Sequence, residues 1–186
     1  MLVADLRHFL ELPDATPGPA RRLADQLTSI VRAATSRPPG ERWTSALSCA
    51  RRPNRRPCLG HVEILRSDPP DSIYWRCAEC GDEGIVSGWE SSPFDLRASV
   101  EARPSELSLI VPADVAVTLR TVMLLDVECE RMVFGSRIVD GSILMEGSSD
   151  ELDILIDAVA AEANHEHARS RQRRLDTAYD VLTEFE

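Results

Sequence analysis

The chain contains no lysine, because all 21 basic residues among its 186 positions are arginine. Such a bias is typical of a GC-rich bacterial genome, in which arginine codons replace those of lysine. The sequence also lacks any apolar run close to the roughly 18 residues that cross a bilayer. Its first residues have neither the basic start nor the apolar core of a signal peptide. We therefore expect a cytoplasmic bacterial protein with no membrane-spanning segment.

The common sequence motifs of catalysis are missing as well. The chain has no glycine-rich phosphate loop, no Gly-x-Ser-x-Gly and no His-Glu-x-x-His. A single Glu-x-x-His, from Glu162 to His165, falls short of the paired motifs of di-iron bundles and fits a polar helix face. Cys129 lies between Glu128 and Glu130, which should raise the pKa of its thiol and make it a poor nucleophile. The sequence predicts a protein that is not an enzyme, and an enzyme with an unrecognised site is the remote alternative.

Residues 1–40 are predicted to form a helical arm. Apolar residues recur at helical spacing over 2–10 and again over 23–34. The proline-rich stretch 13–19 separates the two helices, because proline interrupts helical hydrogen bonding.

Residues 41–92 are predicted to form a small antiparallel sheet. Three short strand-like runs occur there, over 61–67, 73–76 and 84–89. The turn sequence Asp68-Pro69-Pro70-Asp71 joins the first two runs. The three tryptophans of the chain also fall in this part, where they would supply apolar volume to a thin core.

Residues 104–186 are predicted to form an α/β domain with one long terminal helix or two shorter ones. Asp140-Gly141 is a typical two-residue hairpin turn, and Ser148 with Glu151 fits a helix capping box. The fold class is therefore expected to be α+β. The third part has the order β-α-β-β-α, with strands over 107–111, 132–139 and 142–146 and helices over 114–125 and from 148 onward.

Four of the five cysteines cluster in the middle part of the chain: Cys49, Cys58, Cys77 and Cys80. In a reducing compartment, such a cluster more often binds a metal than forms disulfides. Structural zinc takes four tetrahedral ligands from cysteine or histidine, often as two close pairs. Cys77-x-x-Cys80 supplies one pair, and Gly81 permits a tight turn after it. The sequence predicts one structural Zn²⁺; the alternatives are buried free thiols, a redox dithiol, and an iron centre or a catalytic zinc.

The segment Trp75-Arg76-Cys77-Ala78-Glu79-Cys80-Gly81, followed by Gly84, resembles the metal knuckle of zinc-ribbon and rubredoxin-like proteins. The resemblance covers roughly residues 49–89 and implies a four-ligand metal site on a small sheet. Those families supply the first ligand pair from a second Cys-x-x-Cys, whereas this chain has no second copy of that motif.

The first ligand pair is open to two interpretations. Cys49 with Cys58 gives four thiolates, and Pro53 and Pro57 would reduce the entropy lost in closing the loop between them. Cys58 with His61 has the shorter spacing, but His61 also fits the polar start of a strand. We prefer Cys49 as the fourth ligand and keep His61 as the alternative.

Residues 50–57, which we call the Arg loop, contain Arg51, Arg52, Arg55 and Arg56. Guanidinium groups on a rigid loop suit bidentate contact with phosphate. Pairing with carboxylates of the same part of the chain is the structural alternative. We expect a non-enzymatic zinc-binding protein with a nucleic-acid-associated or regulatory role, in which the Arg loop is the contact surface. An adaptor that binds another protein through the same surface is the alternative.

Overall fold

The computed structural model describes residues 1–13, 15–69, 71–100, 106–123 and 125–185. Within these residues, eight strands form one mixed sheet. The strands are β1 (Leu2–Asp5), β2 (Arg42–Ser48), β3 (His61–Ser67), β4 (Ser72–Cys77), β5 (Glu83–Ser87), β6 (Leu107–Val111), β7 (Arg137–Val139) and β8 (Ser142–Gly147). Their order across the sheet is β1-β5-β4-β3-β2-β7-β8-β6. The β1–β5 pair is parallel and the remaining pairs are antiparallel.

Helices cover this sheet and confirm the α+β class predicted from the sequence. Short 3-10 turns occur at Leu6–Phe9 and Pro53–Arg55. Among the described residues, no helix combines the length and the apolar character that crossing a membrane requires. The helices are α1 (Gly18–Thr35), α2 (Arg97–Val100), α3 (Ala113–Leu119), α4 (Val127–Phe134), α5 (Ser149–His165) and α6 (Arg169–Thr183).

The N-terminal segment departs from the prediction. The helix expected over 2–10 is wrong for Leu2–Asp5, which forms the edge strand β1 and pairs with β5 from Leu2 opposite Gly84 to Asp5 opposite Ser87. The pairing provides hydrogen-bond partners for backbone N–H and C=O groups of β5 that an open sheet edge would leave exposed. The second predicted helix is confirmed as α1, which buries the apolar face that includes Leu27 and Val31.

The predicted strand over 132–139 is wrong in its first half. Val127–Phe134 is the helix α4, and only Arg137–Val139 is a strand. The side chain of Asp126 accepts a hydrogen bond from the Cys129 amide at 2.8 Å and so caps the helix N-terminus. The helix expected over 114–125 ends at Leu119. The C-terminal order is therefore β6-α3-α4-β7-β8-α5-α6.

Two local predictions in the C-terminal part are confirmed. Asp140 and Gly141 have φ values of 50° and 80° and connect β7 to β8, as a two-residue hairpin turn requires. Ser148 and Glu151 form a complete capping box at the start of α5. Glu151 also accepts hydrogen bonds from Arg131 of α4, so the same buried carboxylate joins α4 to α5.

Strand β2 joins the cysteine-bearing strands to the C-terminal strands. It pairs with β3 on one side and, through Ser45 and Arg137, with β7 on the other. Helix α1 packs across β2, β3 and β4, and a single core cluster contains residues from all three predicted parts of the chain. Of the predicted boundaries, helices and turns, positions 104, 124 and 186 and Pro70 lie outside the described residues. The division into three domains stays a prediction.

Candidate metal centre

The four clustered cysteines lie where neighbouring strands end. Cys49 directly follows β2, and its amide donates to the Gly60 carbonyl at 2.8 Å. Cys58 precedes β3, and its amide donates to the Arg51 carbonyl at 2.9 Å, which closes the base of the Arg loop. Cys77 ends β4, and Cys80 lies in the turn that leads to β5. Sheet pairing therefore brings these segments to the same end of the sheet.

The turn between β4 and β5 has the backbone of a metal knuckle. The Gly81 amide donates to the Cys77 carbonyl at 3.0 Å, and the Cys77 amide donates to the Asp82 carbonyl at 2.8 Å. Gly81 has a φ of 71°, in the left-handed region that favours glycine. The turn folds back tightly enough to place the Cys77 and Cys80 sulfurs on one side.

The four sulfur atoms lie within 4.8 Å of one another. The Sγ atoms of Cys49 and Cys80 are 3.6 Å apart, and those of Cys58 and Cys77 are 3.7 Å apart. These distances are far longer than the roughly 2.05 Å of a disulfide, and all four cysteines are free. Sulfurs bound tetrahedrally at about 2.3 Å from a zinc ion would lie about 3.8 Å from one another. The number, type and spacing of the donors thus fit a four-coordinate metal ion.

Backbone amides point at all four sulfurs, among them those of Asp82 at Cys80 and of Glu79 at Cys77. The Arg51 amide lies 3.5 Å from Cys49 Sγ, and the Gly60 amide lies 3.4 Å from Cys58 Sγ. Such N–H···S contacts stabilise negative charge on a thiolate and orient it toward a metal. Gly60 is required sterically, because a Cβ at this position would lie 2.6 Å from Cys77 Sγ.

The electrostatic surroundings of the thiols differ. Burial raises the pKa of the Cys49 and Cys77 thiols. The Asp82 amide donates a hydrogen bond that lowers the pKa of Cys80. Cys80 is therefore the easier thiol to deprotonate, whereas Cys49 and Cys77 need a bound cation to favour their thiolates.

His61 is not part of the cysteine cluster. It is the first residue of β3, where it lies opposite Ser48 of β2. Its Nδ1 is buried and has no hydrogen-bond partner among the described residues. Cys49 and His61 are the two candidates for the fourth ligand. Of these, Cys49 is the one that lies beside the other three sulfurs in the structure.

All four arginines of the Arg loop are exposed, as a contact surface requires. Arg51 lies 3.5 Å from the carboxylate of Asp82, yet its side chain remains 65% exposed. Arg52, Arg55 and Arg56 form no ion pair with any residue in the described part of the chain. Internal pairing thus accounts for one of the four guanidinium groups.

The other metal and thiol candidates have structural roles. Cys129 is buried and outside the cluster; burial raises the pKa of its thiol, and its Sγ lies 3.6 Å from the Glu151 carbonyl. Glu162 forms an ion pair with Arg171, and His165 is exposed. Glu162 thus joins α5 to α6, and neither residue belongs to a candidate metal cluster of the described residues.

Sequence reasoning missed two residues that shape the cysteine cluster without contributing a sulfur. Gly60 leaves space beside Cys77, and the Asp82 backbone hydrogen-bonds within the knuckle. The glycine two positions after Cys58 could have indicated the role of Gly60. The sequence gives no signal for the role of Asp82 in the knuckle, because that role depends on its backbone.

No protein-family model, curated protein or solved structure matches this chain. The interpretation of the cysteine cluster therefore rests on its own geometry.

Proposed function

We propose that the chain is a non-enzymatic zinc-binding protein whose metal-supported Arg loop contacts the phosphates of a nucleic acid. The observation that carries the proposal is the convergence of four cysteine sulfurs within 4.8 Å beside an exposed arginine-rich loop. The metal would hold the loop in shape, and the loop would provide the contact surface.

Zinc is favoured by the donor set, and a structural role is favoured by its completeness. Four thiolates fill a tetrahedral shell and leave no position for a water molecule or substrate. The ligands also lie at the ends of β2 and β4 and in the two adjoining loops. A bound ion would therefore cross-link segments that the sheet alone holds only through backbone hydrogen bonds.

Phosphate contact is supported by the unpaired guanidinium groups of the Arg loop. Arg52, Arg55 and Arg56 form no ion pair with described residues, although the whole chain has a net charge of −10. Each guanidinium can donate two parallel hydrogen bonds to a phosphate. A loop closed by the Cys58 amide and stiffened by two prolines would lose little conformational entropy on binding.

Salt-dependent binding to labelled oligonucleotides tests this function. We would measure fluorescence anisotropy with single-stranded and double-stranded DNA and RNA between about 50 and 200 mM salt. A contact to phosphates predicts that log K falls linearly with log salt, by about 0.7 to 0.9 per phosphate neutralised.

A matched pair of triple variants makes the test specific. Arg52→Ala with Arg55→Ala and Arg56→Ala should weaken binding and flatten the salt dependence. Arg169→Ala with Arg173→Ala and Arg174→Ala removes three exposed arginines from α6 and should leave binding unchanged. Equal losses in both variants, or no binding to any oligonucleotide at low salt, would contradict the proposal.

Binding of another protein is the second candidate, and Leu59 favours it. This residue follows Cys58 directly, and its side chain is 91% exposed. A large apolar side chain beside a rigid loop can anchor a protein interface. Binding of a partner through Leu59 would change little with salt concentration and would be lost in Leu59→Ser. Oligonucleotide binding through the Arg loop would be unaffected by that substitution.

A further inference from the structure

A cavity of about 710 Å³ lies beside the Arg loop. Its walls come from α1, from the adjoining ends of β2 and β3, and from α3 with the residue that follows it. This volume is in the ordinary range of small-molecule sites. The cavity does not include any of the four cysteine sulfurs, so it is distinct from the metal centre.

The charge of the cavity is opposite to that of the chain. Arg22, Arg52 and Arg120 line it, and Asp25 is the acidic residue among its lining residues. The three arginines come from α1, the Arg loop and the end of α3. Folding thus brings together a local charge of about +2 within a protein whose net charge is −10.

Arg120 is the most informative of these residues. Its Nε is buried without a hydrogen-bond partner, and its Nη2 lies 3.5 Å from Ser136 Oγ. It forms no ion pair with any residue that the structure describes. Burial lowers the pKa of Arg120 to about 10, so the guanidinium is still charged at neutral pH. A largely buried cation that forms no ion pair costs free energy, and a bound anionic ligand would reduce that cost.

Gln26 adds a second unsatisfied donor. Its Nε2 is buried and has no partner among the described residues, and Gln26 lines the same cavity. It lies one helical turn after Arg22 on α1, so the two side chains share a helix face. Two independent observations, the unpaired Arg120 and the unpaired Gln26, therefore point to a ligand with hydrogen-bond acceptors.

The remaining walls are apolar. Ile30, Leu47 and Val62 are buried residues of the core, and Val117 is half-exposed at the rim. Inorganic phosphate alone would leave these walls without contact. A ligand that fits should combine an anionic group with an apolar or aromatic body.

We propose that this cavity binds a small organic phosphate, with Arg120, Arg22 and Arg52 around the phosphate group and the apolar walls around the organic part. A phosphomonoester carries a charge between about −1.5 and −2 at neutral pH, which matches the lining better than a single carboxylate does. Arginine also donates to phosphate oxygens in bidentate geometry. The proposal does not depend on nucleic-acid contact by the Arg loop.

The test compares matched ligands by isothermal titration calorimetry with the full chain. The probes are adenosine monophosphate, cytidine monophosphate and phenyl phosphate, each paired with adenosine, cytidine or phenol, together with inorganic phosphate alone. At least one organic phosphate should bind at least tenfold more tightly than both its unphosphorylated partner and inorganic phosphate. If none of the three organic phosphates binds at millimolar concentration, the proposal is overturned.

Variants then locate the binding. Arg120→Gln should lower the affinity for the best-binding probe at least tenfold, and Arg22→Gln should lower that affinity by a smaller factor. Arg22 is exposed on α1, so this variant keeps the test valid if Arg120→Gln does not fold. Arg21→Gln is the matched control, because Arg21 is the adjacent residue of α1 but does not line the cavity. Unchanged affinity in both cavity variants, or an equal loss in the control, would overturn the proposal.

Discussion

The sulfur of Cys49 lies 3.6 Å from that of Cys80, although 31 positions separate the two residues in the chain. Cys49 follows β2, whereas Cys80 lies between β4 and β5. The pairing of β2 with β3 and of β3 with β4 brings the two cysteines together, because Ser48 lies opposite His61 and Val62 lies opposite Cys77. A metal ion held by these sulfurs would therefore depend on correct pairing of three strands.

The first prediction concerns metal content. The purified protein should contain one zinc ion per chain, because four thiolates complete one tetrahedral site. Elemental analysis should show that Cys80→Ser loses most of this metal, while Cys129→Ala keeps it because Cys129 lies outside the cluster. Absence of bound metal would contradict the site, and iron in its place would contradict zinc while leaving the ligand set intact.

The second prediction concerns local stability. Cys80→Ser should loosen residues 43–90 while the helices of the C-terminal part stay folded, because metal binding and local folding are coupled. Limited proteolysis should cleave 43–90 about tenfold faster or more, which corresponds to at least about 1.4 kcal/mol of local stability. Chelation of the wild-type protein should give the same cleavage pattern. Unchanged resistance of this segment after metal loss would rule out a structural role.

The third prediction concerns pH. Arg137, together with Arg37, holds the pKa of Glu146 below its ordinary value of 4.5. A carboxyl group whose pKa is lower in the folded state than in the unfolded state stabilises the fold at pH values above its unfolded-state pKa. This contribution is lost as the pH falls through the folded-state pKa. Glu146→Gln should therefore lower the free energy of unfolding by about 1 kcal/mol at most at pH 7.

Denaturant titrations between pH 7 and pH 3 would measure this difference. The difference in free energy of unfolding between the wild-type protein and Glu146→Gln should start to decrease below about pH 4.5. It should continue to decrease as Glu146 is protonated. Glu106→Gln replaces an exposed carboxylate and serves as the control. A gap that stays constant over this range would show that Glu146 does not act through its charge.

The fourth prediction concerns the unpaired charge at Arg120. Arg120→Met keeps most of the side-chain volume and removes a buried cation, so it should raise the free energy of unfolding of the ligand-free protein. The lowered pKa of about 10 gives the direction of this change and limits the gain to a value on the order of 3 kcal/mol. Thermal and denaturant unfolding would measure it, with Arg169→Met as an exposed control. A large loss of stability would show that Arg120 is needed by the fold itself.

Features set by neighbouring residues were predictable from the sequence. The capping box of Ser148 and Glu151, the Asp140-Gly141 turn and the amphipathic helix α1 each depend on contacts within a few positions. The Cys-x-x-Cys knuckle belongs to the same group, because two intervening residues and one glycine suffice to bring two sulfurs together.

Features that depend on distant partners were decided by the tertiary structure alone. Leu2–Asp5 has an apolar spacing that suits a helix, but pairing with β5, about 80 positions away, makes it a strand. The position of Cys49, and not His61, beside the other three cysteines follows from the register of β2 on β3. The cavity around Arg120 exists because α1, the Arg loop and α3 meet in space. Local spacing determines which contacts a segment can make, whereas the packing of the whole sheet determines which of them it makes.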